Sequence, residues 1–329
     1  MSSTNHIRWE DIKDISPNAI NDGVPGNKEP ILALLRDAGV THVDARVVRI
    51  LPDWSAVESQ YGSEPVVNGL DRCHEFRSMK GDKFLAPAGL FNTGTNAMTY
   101  YLRANLQIGN NDTSHYGILT QVPWDKHWMY SLRYEHTIAR HGMFDKDRVM
   151  PIVVIRDPLT WIRSMCRQPY LVRWIPKQAR THCPHTIVNG QTQPVAIPSM
   201  TNRTWQSLFH LWNDWYREYL DASSPRLIVR VEDLWFRPRK VLEIIQKCTG
   251  AKQASEFFYV VASSKWEHVR EHGPQSSWVS AIVKHGNPAN RLLNLTSEDL
   301  AFAKTALDDE LIRRFRYDVS LGSIANHSH

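Results

Sequence analysis

The sequence lacks several features that would assign the protein to a class at once. No apolar run approaches the roughly 18 residues of a membrane-spanning helix, and residues 1–14 lack the apolar core of a signal peptide. The basic residues are dispersed, and no nucleic-acid-binding motif is present. We therefore expect no membrane contact from this chain itself and no binding to nucleic acid.

Cysteine is also scarce. The four cysteines are too few and too scattered for a disulfide scaffold or a zinc module. Cys166 and Cys183 close a short loop and could pair with each other. His182 and His185 flank Cys183, but no further ligand is apparent. The sequence therefore predicts no metal site.

The remaining composition is that of an ordinary globular protein. The 329 residues are 42% hydrophobic and 22% charged, which is enough for a sizeable core, and the formal net charge of +5 favours anionic ligands. Residues 1–82 contain short helical patterns interrupted by glycine and proline, with no catalytic constellation. We expect an irregular and helical N-terminal extension over residues 1–82, packed on a domain of residues 83–329.

The most informative stretch runs from Lys83 to Leu106. Phe84–Ala88 is apolar and small, as in a buried strand, and a loop with glycines at positions 89 and 94 follows it. From Ala97 onward the apolar residues recur at helical spacing. A strand, a glycine-bearing turn and a helix together form the geometry in which backbone N–H groups cradle a phosphate or a sulfate.

This loop differs from the P-loop of nucleoside triphosphatases. A P-loop has a lysine and then Ser or Thr directly after its second glycine. Here Thr95 and Asn96 follow Gly94. The alternative to an anion site is a turn whose glycines serve only to reverse the chain.

A second buried strand is predicted over residues 150–155, and it leads directly into Arg156. Asp157 and Pro158 form a helix N-terminal signal. Ser164 lies two helical turns further, so that Arg156 and Ser164 are able to reach one anion. A structural salt bridge would explain Arg156 and Asp157 alone, but not the whole arrangement.

A third polar pair follows a shorter candidate strand at residues 118–122. Lys126 and His127 come just after it. Open α/β sheets place their chemistry at the carboxyl ends of their strands. Two solvated surface side chains are the alternative.

The remaining pattern alternates between helix and strand. Helices are predicted over residues 204–220 and 238–248 and from a capping pattern at Thr296 to about Phe315, and a strand over residues 226–231. This alternation favours an α/β fold, with a central, mostly parallel sheet between helical layers as a three-layer sandwich.

These residues resemble the sulfotransferases that use 3′-phosphoadenosine 5′-phosphosulfate (PAPS). Residues 91–96 match the phosphosulfate-binding loop of that family at its glycine and threonine, and the spacing of Arg156 and Ser164 matches its 3′-phosphate site. A weaker match is Glu232-Asp233-Leu234 after a strand. The resemblance covers roughly residues 83–317 and implies a P-loop-like phosphosulfate-binding turn, PAPS as the donor and no metal. The cofactor-binding residues that it implies are Asn92, Thr93, Gly94, Thr95, Asn96, Arg156 and Ser164.

The catalytic residues implied by the resemblance are Asn92, Lys126 and His127. Asn92 stands where the family has a lysine, and an amide cannot offset developing charge as an ammonium can. By the same likeness Lys126 would supply that charge and His127 would take the proton of the acceptor. Glutamate is the base in other branches of the family, and Glu135 is the nearest candidate.

The expected function is transfer of a sulfuryl group to an acceptor hydroxyl, of a carbohydrate by preference or of a small molecule. A P-loop kinase or other phosphotransferase is one alternative, and a non-catalytic member that binds a nucleotide or a glycan is another. Many members that modify glycans are Golgi proteins with an N-terminal anchor, which here would lie outside the chain. This favours the Golgi lumen, with the cytoplasm as the alternative.

Overall fold

The protein was analysed as a computed structural model, which describes residues 6–7, 27–109, 114–138, 142–177, 186–261 and 277–319. The strands in these ranges are β1 (His6–Ile7), β2 (His42–Val43), β3 (Val67–Asn68), β4 (Phe84–Ala88), β5 (Leu106–Gln107), β6 (Val149–Ile155), β7 (Arg173–Trp174), β8 (Ile187–Val188), β9 (Gln191–Thr192), β10 (Val195–Ala196), β11 (Thr204–Trp205), β12 (Leu227–Arg230) and β13 (Lys252–Gln253).

The α-helices of the described residues begin with three short helices near the N-terminus. They are α1 (Glu29–Asp37), α2 (Ala45–Ile50), α3 (Trp54–Tyr61), α4 (Cys73–Ser78), α5 (Thr95–Asn105), α6 (Pro158–Arg167), α7 (Leu208–Leu220), α8 (Val231–Phe236), α9 (Pro238–Thr249), α10 (Trp278–Gly286), α11 (Pro288–Arg291), α12 (Ser297–Ala306) and α13 (Asp309–Phe315). Short 3₁₀ turns cover Leu70–Arg72, Ser114–Gly117, Tyr130–Leu132 and Lys146–Arg148.

The central sheet has four strands in the order β3-β12-β6-β4. β12, β6 and β4 are parallel, and β3 pairs antiparallel with β12 at the edge. The register places Ala88 beside Val153 and Arg230 beside Ile155, so the carboxyl ends of the parallel strands lie along one edge. The sequence-based expectation of an α/β fold with a mostly parallel sheet is confirmed.

Helices pack on both faces of this sheet. Because side chains alternate along a strand, Val153 and Ile155 of β6 enter a core that includes α6 and α7. Ile152 and Val154 enter the core on the other face, which includes α4, α5 and α9. The strand is therefore buried on both sides, as its continuous apolar sequence predicts.

The N-terminal segment is part of the same structure. β3 belongs to the central sheet, and a disulfide between Cys73 and Cys248 joins α4 to α9. A third apolar cluster combines α1, α2 and α3 with α10. The expected packing of residues 1–82 on the core is present in their described part, while the boundary at residue 82 stays a prediction.

Several expected element boundaries are different in the structure. Only Ile118 of the candidate strand at residues 118–122 forms a bridge, with Leu85. The N–H of Leu119 donates to Leu85 O, and the N–H of Val122 donates to Pro87 O. Between these two bonds the chain advances three residues in the candidate strand but only two in β4. The extra residue interrupts the ladder, and a regular strand does not form.

The boundaries of several later elements also differ from those expected. α7 begins after Ser207, and residues 204–205 form β11 instead of its first turn. Thr296 and Asp299 form the predicted capping box, but the helix ends before Leu307 and Asp308 caps a second one. Glu232, expected directly after a strand, lies in α8, which begins at Val231.

Of the possible pair Cys166–Cys183, the structure describes only Cys166. Cys166 is disulfide-bonded, and Cys183 lies outside the described residues. In the part of the chain that the structure describes, none of the helices has the length and apolar content needed to cross a membrane.

Candidate anion-binding site

The site lies at the carboxyl ends of β4 and β6, whose following helices pack on opposite faces of the sheet. Met98 and Leu102 of α5 pack in the core on one face of the sheet, while Leu159 and Ile162 of α6 pack on the other face. Neighbouring parallel strands whose helices go to opposite faces leave a crevice at their carboxyl ends, where α/β proteins bind ligands. The predicted glycine loop and Arg156 both lie at this position.

Gly94 shapes the turn into α5. Its φ of +88° is in the left-handed region, and a Cβ on it would stand 2.8 Å from Val231 Cγ2. As the residue before the helix it brings no side-chain cap to the first turn. The N–H groups of Thr95 and Asn96 belong to that first turn, where amides have no partner inside the helix and favour an anion.

Side chains hold the loop by its carbonyl oxygens. Gly89 O meets Nδ1 of His127 at 2.7 Å, Leu90 O accepts from Thr93 Oγ1 at 2.7 Å, Phe91 O accepts from Trp161 Nε1 at 2.8 Å, and Asn92 O accepts from Arg156 Nη1 at 2.9 Å. Four consecutive carbonyl groups are thus bound. None of these four bonds uses the first amides of α5, so the loop is held in a preorganised shape, as anion binding needs.

Arg156 is buried at the end of β6, with 7% of its surface exposed. Besides Asn92 O, its Nε donates to Thr160 Oγ1 at 3.2 Å. Burial lowers the pKa of its guanidinium to about 10, so the group stays cationic at neutral pH. A desolvated cation beside the start of a helix is a strong attractor for an oxyanion.

Ser164 is also buried, and its Oγ donates to Thr160 O at 3.4 Å. The structure brings it to the loop through its main chain, because Asn92 Nδ2 donates to Ser164 O at 3.3 Å. Asn92 therefore contacts both residues of the predicted 3′-phosphate pair. Arg156 donates to the main-chain oxygen of Asn92. The side-chain amide of Asn92 donates to the main-chain oxygen of Ser164 in α6.

The Asn92 side chain also contacts the C-terminal end of α6. Nδ2 donates to Gln168 O at 2.8 Å and lies 3.3 Å from Met165 Sδ. The φ of +62° at Asn92 is in the left-handed region, which asparagine tolerates better than most residues. The Asn92 side chain thus connects the loop to the C-terminal end of α6.

Lys126 and His127 lie directly against the loop. Lys126 Nζ donates to Asn96 Oδ1 at 2.7 Å, which places the ammonium at the first turn of α5. Gly89 N–H donates to Lys126 O at 2.7 Å, and Nδ1 of His127 returns a bond to Gly89 O. Two residues that the sequence separates from the loop are therefore in contact with it.

The contact with Gly89 decides which imidazole nitrogen of His127 carries the proton. A carbonyl oxygen only accepts, so Nδ1 is protonated and Nε2 is the basic nitrogen of the neutral ring. The ring packs against Phe91 with 4.4 Å between centroids, and Trp215 Nε1 fixes the His127 carbonyl at 2.9 Å. Glu135 is exposed, and among the described contacts none joins it to the loop.

Two buried residues near Arg156 were not assigned a role from the sequence. Glu232 accepts the Asp157 N–H at 2.9 Å and the Tyr317 hydroxyl at 3.1 Å, and burial followed by the Asp157 carboxylate raises its pKa to about 7. His285 Nε2 lies 3.3 Å from Arg156 Nη2. The Glu-Asp-Leu pattern was the only sequence signal for Glu232, and none was available for His285.

The described residues contain no group of three His, Cys, Asp or Glu side chains placed to hold a metal ion. Comparison with known proteins adds no family: no family model, no curated protein and no solved structure matches the chain. The chemistry of the site therefore rests on its own geometry. Its elements suit a ligand with two separate anionic groups, one at the start of α5 and one at Arg156.

Proposed function

We propose that the protein is a sulfotransferase that moves a sulfuryl group from PAPS to an acceptor hydroxyl. The observation that carries the proposal is the bond from Arg156 Nη1 to Asn92 O, 2.9 Å long. It joins the two elements that the resemblance assigns to the two ends of one donor. A turn at the start of a helix and a buried arginine beside it suit the phosphosulfate and the 3′-phosphate of PAPS respectively.

In this proposal the donor is held at both ends. The amides of Thr95 and Asn96, with the loop residues Thr93 and Gly94, bind the 5′-phosphosulfate. Arg156 binds the 3′-phosphate, with Ser164 beside it. The proposal includes a P-loop-like version of the α/β fold, adapted to a sulfuryl donor.

The transfer is an in-line displacement at sulfur. The acceptor oxygen forms the new O–S bond while the bond from sulfur to the phosphate oxygen breaks, and the hydroxyl proton goes to Nε2 of His127. Lys126, held at the first turn of α5, and the helix amides stabilise the charge that builds on the sulfuryl and leaving oxygens. The sulfuryl group carries less negative charge than a phosphoryl group, so the reaction does not require a metal.

The proposal includes a carbohydrate hydroxyl as the acceptor and the Golgi lumen as the compartment. The Cys73–Cys248 disulfide supports an oxidising environment. The alternative is a small-molecule acceptor in the cytoplasm. Finding Cys73 and Cys248 reduced in the protein taken from cells would favour this alternative.

A non-catalytic nucleotide-binding protein is the second candidate, and one observation favours it. Asn92 replaces the expected ammonium and uses its amide on Ser164 O and Gln168 O. In such a protein the donor would bind but no group would be transferred.

The test is calorimetric titration of 3′-phosphoadenosine 5′-phosphate (PAP) into the wild type and Arg156→Ala, with and without Mg²⁺. We expect Mg²⁺-independent binding, about tenfold or more weaker in the variant. Arg239→Ala is the control, because Arg239 pairs with Asp37 on the surface. Binding of ATP with Mg²⁺ in place of PAP would refute the proposal and favour a kinase.

Turnover separates the two candidates that bind PAP. ³⁵S-labelled PAPS is incubated with a panel of glycans and phenols, and transfer of label identifies an enzyme. PAP binding without transfer to any acceptor, in the wild type and in Asn92→Lys alike, would favour the non-catalytic protein.

A further inference from the structure

His285 lies in the last turn of α10 and is 7% exposed. Its Nε2 is 3.3 Å from Arg156 Nη2. A guanidinium has only donors, so Nε2 must accept, and the neutral ring carries its proton on Nδ1. The imidazole is thus a hydrogen-bond acceptor directed at the arginine that we assign to the 3′-phosphate.

The imidazole is held in one position. The indole of Trp235 stacks on it at 4.3 Å between centroids and 15° between planes. Tyr61 donates its hydroxyl to His285 O at 2.9 Å. A Cβ on the next residue, Gly286, would stand 2.3 Å from Pro52 Cγ, so the backbone here is closely packed. The acceptor cannot move without disturbing this packing.

Arg156 is oriented by three acceptors in different directions. Nε donates to Thr160 Oγ1, Nη1 to Asn92 O and Nη2 to His285 Nε2. Because the guanidinium is planar with five N–H groups, three fixed bonds define its plane. These are its hydrogen-bond partners among the described residues. They leave one N–H on Nη1 and one on Nη2 for a ligand. Two such N–H groups match a bidentate phosphate.

Charges around His285 keep its ring neutral. Burial first, and then the cations Arg156, Lys284, Arg163 and Arg167, hold the pKa of His285 well below its usual range. Glu232 and Asp157 are the carboxylates that act on Arg156. A protonated imidazole would lose its acceptor and repel Arg156, so the neutral state is the one that fits the geometry.

We propose that His285 is a positioning residue that turns the Arg156 guanidinium toward a phosphate monoester. The inference rests on the proposed function, since the monoester concerned is the 3′-phosphate of the donor. His285 does not touch the phosphate and acts only through Arg156. It therefore sets the selectivity for nucleotides with a 3′-phosphate over those without one.

The test compares two probes, PAP and adenosine 5′-phosphate, which differ by the 3′-phosphate. The ratio of their dissociation constants is measured by calorimetry for the wild type, His285→Phe and His285→Gln. Phenylalanine keeps a ring against Trp235 but has no acceptor, whereas glutamine has an acceptor oxygen but no ring. His210→Phe is the matched control, because His210 is a partly buried histidine that bonds to Ser207 and lies on α7.

We expect His285→Phe to weaken PAP binding about tenfold and to leave adenosine 5′-phosphate unchanged, because one bond to a charged group is lost. His285→Gln should restore a large part of the selectivity, and His210→Phe should keep all of it. If His285→Phe does not fold, His285→Met replaces the imidazole acceptor with a flexible side chain whose sulfur accepts only weakly.

Two results would overturn the inference alone. One is a His285→Phe or His285→Met protein that keeps the full selectivity for PAP. The other is an equal loss for both nucleotides, which indicates a merely structural role. A wild type that binds neither nucleotide, or both equally, would instead overturn the proposed function, and this inference with it.

Discussion

The guanidinium of Arg156 donates to the main-chain oxygen of Asn92 at 2.9 Å, across a separation of 64 residues. A buried cation therefore holds the loop that precedes α5, and the loop in turn fixes the cation. A change at either residue should alter both the shape of the loop and the attraction for an anion.

The first prediction concerns Gly94→Ala. The residue has φ +88°, and an added Cβ would meet Val231 Cγ2 at 2.8 Å. We expect the free energy of unfolding, measured with urea, to fall by about 2 kcal/mol and PAP binding to weaken. Gly62→Ala is the control, because its φ is +77° with nothing within 4 Å of the new Cβ. It should lose stability but no affinity; equal affinity loss in both would contradict the prediction.

The second prediction concerns Asn92→Lys. The variant loses the bonds to Ser164 O and Gln168 O and puts lysine at φ +62°. We expect it to be less stable by about 1–2 kcal/mol in thermal and urea unfolding, and to transfer sulfuryl groups faster than the wild type. Asn92→Ala loses the same bonds without gaining a charge. Should the lysine and alanine variants turn over equally, Asn92 would have no part in charge stabilisation.

The third prediction concerns the buried pair Arg230–Asp233. Both side chains are 0% exposed, and Arg230 also donates to Phe315 O and Tyr61 O, so it connects the N- and C-terminal segments to β12. Asp233→Asn leaves a buried cation without its counter-charge. We expect a loss of about 3–5 kcal/mol in the free energy of unfolding.

The matched control is Glu64→Gln, which removes one partner of the exposed pair Lys240–Glu64. Exposed pairs contribute little, so no measurable change in unfolding is expected there. Similar losses for the buried and the exposed pair would show that burial does not decide their contribution.

The fourth prediction concerns pH and Glu232. Its pKa is raised from 4.5 to about 7, so the folded protein holds this proton more tightly than the unfolded chain does. The contribution of Glu232 to stability is fully present below the unfolded pKa and is lost as the pH rises through about 7. Glu232→Gln cannot titrate. Relative to the wild type it should gain up to about 3 kcal/mol between about pH 5 and about pH 8.

Urea unfolding across this pH range measures the difference. Glu64→Gln should show no such change with pH, because the bond to Lys240 lowers the pKa of Glu64 and this carboxylate is ionised in both the folded and the unfolded chain above about pH 5. A flat difference between wild type and Glu232→Gln would mean that Glu232 is charged in the folded protein throughout.

The sequence alone determined the elements that build the site. Apolar runs and the alternation of strands with helices predicted β4, β6 and the mostly parallel sheet, and Asp157 with Pro158 predicted the start of α6. These signals are local, since a buried strand needs apolar residues and a helix start needs a cap within a few residues. The capping box at Thr296 was found for the same reason.

Only the tertiary structure decided which residues meet. The disulfide joins cysteines separated by 175 residues, His285 reaches Arg156 across 129, and the Asn92 amide reaches Ser164 across 72. No periodicity or motif specifies such pairs, because they depend on the faces on which the helices pack. α5 and α6 lie on opposite faces of the sheet, and this packing, which the chain's local patterns do not encode, opens the crevice between β4 and β6.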